Sequence, residues 1–165
     1  MRSPTRLGSD DRGVSIAITH VLTIGITTVF IAGLLIGAAS LLDHQREAST
    51  DATLETIGER LANEISKADR VGDGNVTVVT DHQRQVTGSG YAVALHDAGA
   101  DACIDEPLVS DDQPCLVLES HGEELVVAVP LDERVEVADG QSPVTGGNIE
   151  IVAENGEISL QRGGS

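Results

Sequence analysis

The chain has 165 residues, with 27 Asp and Glu against 10 Lys and Arg, a formal net charge of -17. A polyanion of this kind repels phosphate backbones, which excludes nucleic acid as a partner. One Phe, one Tyr and no Trp leave no aromatic platform for stacking bases or sugars, and two cysteines cannot build a disulfide-dense miniprotein or a four-cysteine zinc site.

The length fits one domain with an appendage. Lys67 is the single lysine, and the other nine cations are arginines. Acidic residues occur in almost every polar stretch. In molar salt the Debye length falls to roughly 3 Å, which screens the self-repulsion of such a surface. The composition therefore reads as halophilic.

Met1–Arg12 is short and polar, with Arg2, Arg6 and Arg12 against Asp10 and Asp11. Gly13–Leu42 carries no charged residue. Of the 29 residues from Val14 to Leu42, 19 are apolar, three are glycine and seven are Ser, Thr or His. A helix of that length spans about 43 Å at ~1.5 Å per residue, more than the ~30 Å hydrocarbon core of a bilayer. The spacing predicts a membrane helix. Arginines ahead of the span place the N-terminus in the cytoplasm and residues 43–165 outside. That outer part holds seven cations and 25 anions.

A secretory signal has an apolar region of only about 7–15 residues. Gly37-Ala38-Ala39 offers a small-residue cleavage site, but this run is roughly twice too long. A lipoprotein needs a cysteine at the end of the run, and none is there. A third arrangement cleaves ahead of the apolar helix.

Asp11-Arg12-Gly13-Val14-Ser15, followed at once by the apolar helix, resembles the class III signal peptide of archaeal type IV pilins, haloarchaeal members in particular. The resemblance covers residues 8–42. It implies cleavage by a prepilin peptidase between Gly13 and Val14, with the helix kept in the mature protein. It further implies that this helix sits in the membrane before assembly and in a filament core afterwards. Many haloarchaeal pilins have proline where this chain has Ile16, and the bacterial pilins' glutamate falls at Ile18. The missing proline points to a minor subunit.

Gly33 and Gly37 form a small-xxx-small pair on one face of the apolar helix, a spacing that lets a second helix approach closely. Thr19, Thr23 and Thr27 form a polar stripe whose hydroxyls can bond the carbonyl one turn earlier. His20 is the one ionisable group in the span.

Residues 43–53 are polar and read as a linker, with a bend placed near residues 43–50. Leu54, Ile57, Leu61, Ile65 and Ala68 then step by three and four, the pattern of an amphipathic helix. Ser49, Thr50 or Asp51 can cap its start, and Gly72-Asp73-Gly74 ends it. Period-two patterns follow at 75–80, 91–96, 116–120, 125–130, 134–137, 148–153 and 157–161. Asn155-Gly156 is a strong hairpin turn and His121-Gly122-Glu123-Glu124 a second. The expected class is α+β: a long apolar helix and an amphipathic stem helix, then a small antiparallel β-sheet domain covered by the stem.

Asn75-Val76-Thr77 is an N-glycosylation sequon, consistent with an exterior location. Cys103 and Cys115 are an even pair outside the cell, which favours a disulfide over free thiols. No H-E-x-x-H, G-x-S-x-G or P-loop motif is present. Gly88-Ser89-Gly90 begins like a dinucleotide fingerprint, but Val93 takes the third glycine's place. The five histidines show no ligand spacing. Asp97, Asp101, Asp105, Glu106, Asp111 and Asp112 lack the order of a calcium loop and read as a solvated acidic loop.

The expected organisation is a cytoplasmic leader at 1–13 that is removed, a transmembrane and assembly helix at 14–42, a linker and stem at 43–71, and an extracellular head at 72–165. No catalytic residue, metal or cofactor is expected. The expected partners are the membrane, other pilin-like subunits packed helix to helix, the prepilin peptidase and the pilus assembly machinery. The alternative is an uncleaved single-pass anchor displaying a binding domain.

Overall fold

A computed structural model describes residues 11–71, 74–104, 109–110, 112–122 and 125–164. Expectations that fall on 1–10, Gly72, Asp73, Asp105, Glu106, Pro107, Asp111, Glu123 and Glu124 lie outside the described residues. The chain divides into two compact units, Met1–His44 and Gln45–Ser165.

The described residues of the first unit are helical. They form the N-terminal part of α1 (Asp11–Asp69). Three hydroxyls of this apolar stretch are satisfied on their own helix: Thr23 donates to the Thr19 carbonyl, Thr27 to Thr23 and Thr28 to Ile24, each at 2.8 Å. Each bond closes one helical turn, so no neighbour is needed to accept the hydroxyl hydrogen.

Residues 43–53, expected as a polar linker into the stem, lie within α1 (Asp11–Asp69) and are helical. The physical reason is plain in the residues. Positions 43–53 hold neither Gly nor Pro, and polar residues such as Gln45, Arg46 and Glu47 are good helix formers. Polarity alone does not break a helix. Ser49, Thr50 and Asp51 consequently cap nothing. Thr50 instead extends the buried row of Leu54, Ile57, Leu61, Ile65 and Ala68 by one turn.

The second unit packs the C-terminal part of α1 with two four-stranded sheets. The strands are β1 (Val76–Asp81), β2 (Tyr91–His96), β3 (Cys115–Ser120), β4 (Val126–Pro130), β5 (Glu136–Val137), β6 (Val144–Thr145), β7 (Asn148–Glu154) and β8 (Glu157–Arg162), with one short helix, α2 (Asp101–Ile104). One sheet has the order β1-β7-β8-β5, the other β4-β3-β2-β6. Pairing is antiparallel except between β5 and β8. The expected α+β order, a long apolar helix followed by a small antiparallel β domain, is what the structure has; the strands of that domain form two sheets, and β6 and α2 lie outside the sequence patterns. Two and four residues are too short to carry a period.

Alternation on the strands sends one row inward. Tyr91, Val93 and Leu95 of β2, Ile149 and Ile151 of β7, and Ile158 and Leu160 of β8 join the α1 row in one core. Each such side chain, moved out of water, stabilises the fold by about 1.5–3 kcal/mol before entropy is counted. β3 is buried on both faces. Leu116 and Leu118 face that core, while Cys115 and Val117 face a second small cluster with Cys103 and Ala128.

The turns follow backbone chemistry. Asn155 (φ 55°) and Gly156 (φ 88°) both take the left-handed conformation that a tight β7–β8 hairpin requires. Val86 and Ser89 bridge across Thr87 (φ 49°) and Gly88 (φ 91°) in a second tight turn.

Candidate functional site

The functional candidate of the first unit is its surface. Every large apolar side chain from Ile18 to Leu42 is between 52 % and 73 % exposed, Phe30 included. Burying a side chain of this size is worth about 1.5–3 kcal/mol, so leaving the whole set in water costs tens of kcal/mol. Such a surface demands lipid or other apolar helices around it. The segment is long and apolar enough to cross a membrane once. His20 is exposed within it.

Ideal Cβ atoms at Gly25, Gly33 and Gly37 meet nothing within 4 Å. The face bearing the Gly33–Gly37 pair is therefore open to a neighbour. Gly13 and Val14 lie at the N-terminal end of α1 as described.

In the second unit, Asn75 is exposed immediately ahead of β1, and its Nδ2 donates to Glu154 Oε1 at 3.1 Å. Val76 is half-buried and Thr77 exposed, so both polar residues of the sequon face solvent. Cys103, in α2, and Cys115, at the start of β3, form a disulfide with Cα atoms 5.9 Å apart. The bridge lies on the outer face of β3, with Val117, Ala128 and Val109 around it.

Titratable groups of the head split into buried and exposed sets. His82 is buried, and its Nε2 shares a 3.0 Å hydrogen bond with Thr80 Oγ1. Burial holds its pKa below the ordinary 6.5; Arg60 pushes the same way, while Glu64 and Asp81 oppose. Burial likewise pushes the Tyr91 phenol up. Hydrogen bonds from Arg134 hold the half-buried Asp132 carboxyl down at about 2. Among the described residues, no three His, Cys, Asp or Glu side chains are grouped to hold a metal. Asp97, Asp101 and Asp112 are exposed.

One tertiary device lay beyond sequence reasoning. Thr50 of α1 hydrogen-bonds Thr87 in the Val86–Ser89 turn, across 37 residues. The only signal was Thr50 itself, four residues ahead of Leu54 on the buried face.

Residues 9–161 match a family described as a family of unknown function, DUF7266, and the chain belongs to that family. No curated protein and no solved structure matches the chain.

Proposed function

We propose that this DUF7266 protein is a structural subunit, of the minor kind, in a type IV pilus-like surface filament. The observation that carries the reading is an apolar helix left wholly exposed from Ile18 to Leu42, set directly behind the charged-then-small junction Arg12-Gly13-Val14. In this reading the N-terminus is cytoplasmic, as the three leading arginines favour, and the β-rich head is extracellular. Hydrolysis of the Gly13–Val14 peptide bond by a prepilin peptidase separates the helix from its basic leader. The assembly machinery then draws the helix from the bilayer. The open Gly33–Gly37 face packs against the helix of another subunit, where close backbone approach replaces the lost lipid contacts. The role is structural rather than catalytic.

A second reading keeps the leader and makes the chain a single-pass anchor for an extracellular binding domain. Ile16, at the place where many haloarchaeal pilins carry proline, favours it. Mass spectrometry of the mature N-terminus separates the two. A protein beginning at Val14, with processing blocked by substitution of Gly13, supports the filament subunit. An intact leader on the surface protein sinks it in favour of the anchor.

A further inference from the structure

The head at 72–165 carries three cations, and two of them line one cavity. Arg84, Thr145, Gly146, Asn148, Arg162 and Gly163 enclose about 300 Å³ where the two sheets end. Arg162 extends the β8 row of Ile158 and Leu160, so the apolar core gives way to a guanidinium at this edge. Its Nη2 donates to Thr145 Oγ1 at 2.9 Å, which fixes its direction.

Arg84 is positioned by a different device. A Cβ at Gly147 would lie 2.9 Å from Arg84 Cγ, so the arginine stem rests on bare backbone. Gly147 has φ +117°, a conformation that suits glycine. A Cβ at Gly146 would overlap the Tyr91 ring, and one at Gly163 would lie 2.7 Å from Asn148 Oδ1. The floor is therefore built from glycines that cannot grow side chains into their neighbours. Asn148 is braced by its Nδ2 bond to the Gly164 carbonyl, 2.8 Å.

Among the described residues, neither Arg84 nor Arg162 has a carboxylate partner, in a chain with 27 acidic residues. By contrast, Arg60 pairs with Glu64 and Arg134 with Asp132. Two unspent guanidiniums on one polar cavity are a recognition arrangement for an oxyanion, since the planar fork matches carboxylate and sulfate. The volume sits at the lower end of the ~300–1,000 Å³ of small-molecule sites, which suits a monosaccharide-sized group. The chain's overall negative field does not prevent this in molar salt. Beyond roughly 3 Å that field is screened, which leaves the two guanidiniums lining the cavity as the nearest positive charges to a bound anion.

We propose that the Arg84–Arg162 cavity binds the oxyanion of an acidic, hydroxyl-rich ligand of monosaccharide size, through a carboxylate or a sulfate ester. This inference concerns the head alone and does not rest on the filament reading.

The test is calorimetric titration of the full chain in detergent micelles at constant ionic strength. The probes are glucuronate, a sulfated glucosamine and neutral glucose. Saturable binding of an acid, with none of glucose, is the expected result. Glucuronate alone identifies a carboxylate ligand, and the sulfated sugar alone a sulfate ester. Arg84→Gln or Arg162→Gln should weaken binding by about tenfold or more, as expected for loss of a charge-assisted hydrogen bond. Arg134→Gln should leave it unchanged. Both arginines are exposed, so the variants keep the fold, and their melting temperatures check this. Absence of saturable binding by either acid overturns the proposal. So does binding that persists in a folded Arg84→Gln/Arg162→Gln double variant.

Discussion

Thr50 and Thr87 share a 2.6 Å hydrogen bond between their Oγ1 atoms. Thr50 is fully buried on α1, and Thr87 occupies a left-handed backbone position, φ 49°, that a β-branched residue rarely takes. The helix therefore holds in place a turn that local preference opposes. Thr50→Val keeps the volume and removes the bond. Thermal unfolding should show a loss of about 0.5–1.5 kcal/mol, the ordinary worth of one net hydrogen bond. A variant as stable as the parent would mean that the turn stands without the helix.

Gly58 lets α1 approach the β4-β3 side of the core. A Cβ there would lie 2.6 Å from Val129 Cγ2 and 2.9 Å from Leu118 Cδ1. Gly58→Ala gains up to about 1 kcal/mol of helix propensity. Overpacking costs about 1–3 kcal/mol, and both neighbours are buried in the core with little room to give way, so the cost wins. Denaturant melts should show net destabilisation, whereas Gly→Ala at an open helical glycine should not.

The Cys103–Cys115 bridge spans 12 positions and closes a loop over the outer face of β3. Restricting a loop of this size in the unfolded chain stabilises by ~3 kcal/mol. A Cys103→Ser/Cys115→Ser double variant should lose about that much. Non-reducing peptide mapping of the native protein should find the two cysteine peptides joined.

Gly33 and Gly37 touch nothing in the single chain. Gly33→Leu and Gly37→Leu should leave the melting temperature of the head unchanged and still insert in membranes. They should abolish filaments in electron micrographs if helix packing uses that face. Normal filaments from both variants would assign packing to another face.

His82 makes stability depend on pH in a defined direction. Its folded-state pKa lies below 6.5, because burial disfavours the imidazolium. As pH falls through 6.5 the unfolded chain takes the proton first, so stability declines until the folded-state pKa is reached and then levels. Comparing melts at about pH 7.5 and about pH 5.5 should show a smaller drop for His82→Gln than for the parent. Equal drops would remove His82 as the source.

The apolar run from Val14 to Leu42, the Leu54–Ala68 stripe, most strands and the Asn155-Gly156 hairpin are legible in the sequence, because each is a local signal. Helical spacing, strand alternation and turn chemistry depend on residues a few positions apart. The helical course of 43–53 is only weakly legible: no residue there opposes a helix, but its polar residues give no apolar period to mark one. The tertiary structure alone decided the rest. It divided the strands into two sheets, paired β5 with β8 in parallel, buried His82 and brought Arg84 beside Arg162. Those outcomes depend on contacts between positions far apart in the chain, whose energies come from packing and desolvation that no local pattern encodes.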